Sequence, residues 1–132
     1  MRIVIAGGGT GGHLFPGIAV AEEFLKRDLR SRVMFIGTKK GIEYRLLGQL
    51  GYTLSEIDVE GLKGRGLAAL VKGLWAIPKS MWQSRLILKD FCPDIVIGVG
   101  GYASGPAVMA AYLMGIPTAI AEQNALAGNT NR

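Results

Sequence analysis

Cysteine and histidine are almost missing from this sequence: Cys92 and His13 are the only residues of their kinds among 132. One cysteine excludes an internal disulfide, and no spacing of cysteines and histidines suits a metal, so neither a protein-bound metal nor a cofactor is expected. Long apolar runs are missing too. No stretch approaches the roughly 18 to 20 residues needed to cross a bilayer, and the N-terminus lacks the apolar core of a signal peptide. Mean hydropathy is nevertheless high at +0.30, with 49% hydrophobic residues. Together these predict one water-soluble, cytoplasmic domain over residues 1–132, with a substantial core but short for a complete two-domain enzyme. Cys92, just ahead of Pro93 and an apolar run, is expected to be buried as a small hydrophobe.

Acid is scarce as well. Ten Asp and Glu face fifteen Lys and Arg, for a net charge of +5. Lys63, Arg65, Lys72, Lys79, Arg85 and Lys89 share one segment whose sole acid before Phe91 is Asp90. That clustering points to an anionic partner for one surface. No helix-turn-helix, RNP or zinc pattern supports nucleic acid, which is not expected as a partner.

Glycine, by contrast, is plentiful. Gly7-Gly8-Gly9-Thr10-Gly11-Gly12-His13 follows the apolar run Ile3–Ala6 directly and precedes a helical pattern. A loop with few side chains lets backbone N–H groups approach a ligand closely, and the positive end of the next helix favours phosphate there. The spacing is not a clean Gly-x-Gly-x-x-Gly, so a tight turn that only packs strand on helix accounts for the loop equally well.

Along the chain, short apolar runs alternate with longer helical patterns, the signature of β-α-β units and a doubly wound parallel sheet of Rossmann-like α/β class. Strands are expected near Arg2–Ala6, Arg32–Ile36, Thr53–Ile57, Asp94–Val99 and Pro117–Ala121. Helices are expected near Phe15–Leu29, Ile42–Leu50, Gly66–Phe91 and Pro106–Met114, with Pro16 and Pro106 in first turns, where a missing N–H costs nothing. Right-handed crossovers would bring Gly7–His13, Gly98–Gly105 and Glu122–Arg132 to one sheet edge, the edge where such folds bind ligands. The fifth strand comes shortly before the last residue, and a larger catalyst, of which this is one half, is the expectation.

Two stripes separate on the long third helix. Leu70, Leu74, Ile77, Met81 and Leu88 form one, suited to docking on a sheet. Lys72, Trp75, Lys79, Trp82, Leu86 and Lys89 form the other, and tryptophan interleaved with lysine suits the headgroup level of an anionic membrane. The competing reading buries both tryptophans and leaves the lysines as a solvated rim. Pro78 is expected to kink or break the helix and shift the phase between its halves.

Three motifs in order carry a resemblance: Gly7–His13 with Leu14-Phe15-Pro16-Gly17, the loop Gly98-Val99-Gly100-Gly101-Tyr102-Ala103-Ser104-Gly105-Pro106, and Glu122-Gln123-Asn124 followed by Gly128. With Gly61–Gly66 they closely resemble the N-terminal half of the family 28 glycosyltransferases of GT-B architecture that convert lipid I to lipid II in bacterial cell-wall synthesis. The resemblance implies two doubly wound domains across a cleft. The N-terminal one receives the membrane-anchored acceptor, lipid I, and the C-terminal one, absent here, holds most of UDP-N-acetylglucosamine. It implies a peripheral protein at the cytoplasmic face of the bacterial plasma membrane, and no turnover by this half alone.

Residue by residue, the resemblance places Thr10, Gly11, Gly12 and Asn124 on the donor. It places Gly9, Gly100, Gly101, Tyr102, Ser104 and Gly105 on the acceptor, with Ser104 either capping the next helix or meeting the acceptor pyrophosphate. The membrane surface falls to Lys72, Trp75, Lys79 and Trp82. His13 takes the place of the family's general base, a role that suits an imidazole near neutral pKa, unless it caps its helix instead. Glu122 is the other candidate, as base, as support for a hydroxyl or imidazolium, or as a loop salt bridge. Two rivals stand beside this reading. One is the acceptor half of another GT-B enzyme with a lipid-linked substrate. The other is a non-catalytic nucleotide-binding module, disfavoured because Ile36–Lys40 offers no carboxylate to a ribose.

Overall fold

The computed structural model describes residues 1–8, 11–37, 42–57, 67–101 and 104–121. Among these residues nine elements alternate in chain order: β1 (Arg2–Gly8), α1 (Gly11–Arg27), β2 (Arg32–Gly37), α2 (Ile42–Gln49), β3 (Thr53–Glu56), α3 (Leu67–Phe91), β4 (Ile95–Gly101), α4 (Ser104–Leu113) and β5 (Thr118–Ile120). The strands form one sheet in the order β3-β2-β1-β4-β5, and each neighbouring pair is parallel. The expected doubly wound α/β fold is thus the observed one.

Its two layers follow from strand alternation. Val4 and Ala6 of β1 face the layer that holds Leu88 of α3 and Ala107, Ala110 and Ala111 of α4. Ile3 and Ile5 face the opposite layer, with Ile18 and Ala21 of α1 and Leu47 of α2. Both faces of the sheet are covered at its centre, which is why β1, β2 and β4 read as nearly continuous apolar runs rather than alternating ones. At the bottom of the sheet the Arg2 amide donates to Asp94 Oδ2 at 2.7 Å and its guanidinium donates to the Phe91 carbonyl at 2.9 Å, tying β1 to the α3–β4 turn.

Several expectations need correction. Helix α1 begins at Gly11, four residues before the expected Phe15. Two glycines cost about 1 kcal/mol each in a helix, which argues for a late start, but the chain leaving β1 overrides that local preference. Pro16 consequently lies past the first turn, and the Gly12 carbonyl has no amide four residues on to accept from. In α4, Pro106 does occupy the first turn. Pro78 does not break α3, which runs unbroken over 25 residues.

Cys92 is exposed, not buried. It occupies the left-handed position just past α3, with φ 55°, a place more often taken by glycine. Its amide donates to the Leu88 carbonyl at 2.9 Å and its thiol to the Lys89 carbonyl at 3.2 Å, so the end of α3 is closed by a residue whose side chain stays at the surface.

Candidate functional site

Strand order locates the site. From β1 the chain winds outward through β2 to β3, then returns across β1 to β4, so the switch point lies between the carboxyl ends of β1 and β4. There the two glycine motifs meet. Ala6 pairs with Gly98, then the register shifts by one and Gly7 pairs with Gly100 and Gly8 with Gly101. Val99 is the extra residue, a β-bulge at the rim of the sheet, where bulges commonly re-aim the backbone near functional sites. Gly100 carries φ 101°, a conformation that L side chains rarely adopt. A Cβ on Gly7 would collide with Val99 Cγ2, so the side chain of the bulge fills the space that a larger residue at position 7 would need.

Two helix N-termini open onto this rim. Gly11 and Gly12, assigned to the donor, form the first turn of α1 together with His13, and Ser104 begins α4 just past the Gly100–Gly101 pair. Neither first turn contains an acidic residue. Their orphan N–H groups and positive dipole ends therefore face the rim without an acidic side chain of their own to offset them, an arrangement suited to phosphate or to a leaving group that gains charge.

Ser104 is 1% exposed. A Cβ placed on Gly98 would lie 2.5 Å from Ser104 Oγ and 2.7 Å from Val108 Cγ2, so the bare Cα of Gly98 is what lets α4 start this close to β4. Of the two roles open to Ser104, this burial favours the one in starting the helix. Gly105 is half-buried one residue on. β5, the strand that precedes the third motif in sequence, reaches the same rim, where the Ala121 amide donates to the Gly98 carbonyl at 2.8 Å. Gly9, Thr10, Tyr102, Glu122 and Asn124 lie outside the described residues. Glu56, half-buried at the last position of β3, is the one carboxylate among the residues that end the five strands. Sequence reading passed over it, because a single acid at the end of a short polar strand gives no motif.

The flank formed by α3 and α4 is a second, separate feature. Lys79, Trp82, Leu86 and Lys89 of this stripe are all exposed, Trp82 at 62%. The reading that buried Trp82 in the core is thereby overturned. Lys72 and Trp75 lie on the N-terminal half of α3. The buried stripe of the C-terminal half runs through Ser80 and Ser84 to Leu88 rather than through Met81 alone, and Ser84 Oγ donates to the Ser80 carbonyl at 2.8 Å. Ser84 thus satisfies its hydroxyl within the helix, and both serines are small enough to let α4 approach. Hydropathy alone assigns them to solvent. Met109, Tyr112 and Leu113 of α4 are also exposed, a continuation that the sequence did not reveal because almost the whole of α4 is apolar. No helix among the described residues is long and apolar enough to cross a membrane.

A parallel sheet with glycine-ended central strands and two helix N-termini at its switch point defines a Rossmann-like α/β domain. Residues 3–132 match the Glycosyltransferase family 28 N-terminal domain, and the chain belongs to that family. It is 62% identical, over all 132 residues, to a protein of Syntrophus aciditrophicus (strain SB) named UDP-N-acetylglucosamine--N-acetylmuramyl-(pentapeptide) pyrophosphoryl-undecaprenol N-acetylglucosamine transferase. A protein of the same name from Myxococcus xanthus (strain DK1622) is 59% identical, again over the full chain. Among solved structures, the crystal structure of Acinetobacter baumannii MurG superposes with a TM-score of 0.81 at 39% identity, covering 98% of this chain and 37% of that one. The chain spans 37% and 34% of the two curated relatives, about a third of their length.

Proposed function

We propose that this chain is the acceptor-binding half of an inverting transferase that moves N-acetylglucosamine from UDP-N-acetylglucosamine to lipid I, giving lipid II. The observation that carries the reading is the junction of the two glycine motifs at the switch point between two acid-free helix N-termini. The names of relatives that match over the whole chain supply the substrates. A second, C-terminal domain outside this sequence holds the uridine nucleotide, and without it this half is inactive.

In this reading the 4-hydroxyl of the N-acetylmuramoyl unit attacks the anomeric carbon of the donor. The new β-1,4 bond forms as the bond to UDP breaks, with inversion, and the hydroxyl proton passes to a base. His13, in the first turn of α1, is the proposed base. Glu122 is its alternative, or the group that orients it. Thr10, Gly11, Gly12 and Asn124 meet the donor. Gly9, Gly100, Gly101, Tyr102 and Gly105 form the acceptor side, with buried Ser104 starting α4 behind them, and backbone donors rather than a metal stabilise charge on the diphosphates. Lys72, Trp75, Lys79 and Trp82 hold the domain peripherally at the anionic cytoplasmic face of the membrane. At about 1 kcal/mol for each basic residue near such a surface, attachment is reversible.

The test joins this chain to a matching C-terminal domain and measures transfer of labelled N-acetylglucosamine to a lipid I analogue. Product is expected. A folded fusion that binds uridine nucleotide yet makes none would overturn the reading and leave another acceptor or a binding module.

A further inference from the structure

On the α3–α4 flank, away from the glycine rim, lies an open groove of about 430 Å³. Its walls are Met81, Trp82 and Arg85 of α3 facing Ala110 and Leu113 of α4 and Met114 just beyond it. We propose that this groove lodges one acyl chain of an anionic phospholipid, with the Arg85 guanidinium against the lipid phosphate. The inference rests on the reading that this face works at a membrane, and it replaces flat adsorption with a defined seat for a single lipid.

The composition of the walls selects the occupant. Five of the six lining residues are apolar or, like Trp82, mostly so, and the sixth is a cation. Two thioethers, flexible and polarisable, adapt to a chain without fixed shape, unlike the rigid walls that a planar ring prefers. Both walls are helices whose backbone groups are already paired, so the groove offers no free edge to an extended peptide. Trp82, 62% exposed, places an amphipathic ring at its mouth, and Leu113, 69% exposed, stands opposite it. Exposed apolar side chains gathered into one patch, rather than scattered singly, mark an interaction site.

Charge settles which lipid. Among the described residues Arg85 takes part in no ion pair. Lys89 follows four residues on along the same helix, and Asp90 is the only acid in α3. A guanidinium beside an apolar slot matches a phosphodiester whose own hydrocarbon lies in that slot, and its planar fork binds such oxygens better than an ammonium would. A zwitterionic lipid would set its choline or ethanolamine beside the same cations and bind more weakly.

The experiment uses the complete two-domain enzyme and monomeric lysophosphatidylglycerol below its critical micelle concentration, followed by calorimetry and by quenching of Trp82 fluorescence with a bromine-labelled chain. Saturable one-to-one binding is expected, weaker by about tenfold in Leu113→Asn, the size of a half-buried leucine, and several-fold weaker in Arg85→Gln. Quenching should disappear in Trp82→Phe. Thermal melting of each variant within a few degrees of wild type confirms that it folds. Lysophosphatidylcholine should bind less tightly, and inorganic phosphate should not displace the lipid. The proposal falls if the enzyme sediments with anionic vesicles but shows no saturable monomer binding, since that is flat adsorption alone. It also falls if both variants bind as wild type does, or if phosphate competes the lipid away. Failure of sugar transfer with lipid binding intact would count against the catalytic reading instead.

Discussion

The rim and the flank of this domain are built from opposite materials. At the rim, where β1 and β4 end, function is assigned to backbone: Gly7, Gly8, Gly100 and Gly101 pair across the switch point, and the neighbouring helices contribute amide groups. On the flank it is assigned to bulk, with Trp82, Leu86, Met109, Tyr112 and Leu113 standing exposed. A ligand that carries concentrated charge is held by dipoles brought close, which demands missing side chains. A fluid apolar surface is held by area, which demands large ones. The two regions should therefore respond to substitution in opposite ways.

The sharpest break in that pattern is His13, a rim position where a side chain rather than backbone is asked to do chemistry. In the two-domain enzyme His13→Ala should slow turnover by about 10²- to 10⁴-fold, the usual range for loss of a general base. Near-normal steady-state rates would return His13 to a capping role and leave Glu122 as the proposed base. On the flank, replacing Lys72, Trp75, Lys79 and Trp82 together by alanine should weaken sedimentation with anionic liposomes by about 30-fold or more, two basic residues alone accounting for about 2 kcal/mol. Equal partitioning would show that bulk there serves packing.

Added bulk should hurt the rim and spare other glycines. Gly98→Val would press on Ser104 Oγ and Val108, and overpacking of this kind costs about 1 to 3 kcal/mol, seen as a melting point lowered by several degrees. Gly48 in α2 has nothing within 4 Å of the place a methyl group would take, so Gly48→Ala should instead gain about 0.5 to 1 kcal/mol in denaturant unfolding. The smallest effect lies outside both regions. Burial, and then the Glu22 carboxylate, raise the Tyr52 phenol above its ordinary pKa of 10.0. The fold thus favours the neutral ring, so this contribution is full below pH 10 and declines as pH rises through the raised value. Tyr52→Phe keeps the edge-on contact with Phe35, 5.2 Å between centroids, and should flatten the fall of the urea midpoint between pH 9 and 11.

Much of the frame was legible in the sequence, for a physical reason. A parallel strand covered on both faces must be apolar, as β1, β2 and β4 largely are, and with the edge strands β3 and β5 placed by the alternation of elements, all five expected strands fell within two residues of the observed ones at either end. Rim positions were legible because glycine at a strand end has few other uses. What escaped depended on neighbours distant in sequence. Nothing in Gly11-Gly12 announces a helix until β1 delivers it there. Ser80 and Ser84 look like surface residues until α4 covers them, and Cys92 reads as core until the left-handed turn after α3 sends it outward. The groove beside Arg85 needed both helices at once.

The bulge at Val99 has a consequence for anyone who would move this rim onto another scaffold. Because one extra residue offsets Gly100–Gly101 from the ladder beneath, a grafted loop lacking that valine would drop by one strand step, about 3.3 Å, and turn its last two residues over. The portable unit is accordingly the loop together with the irregularity that aims it.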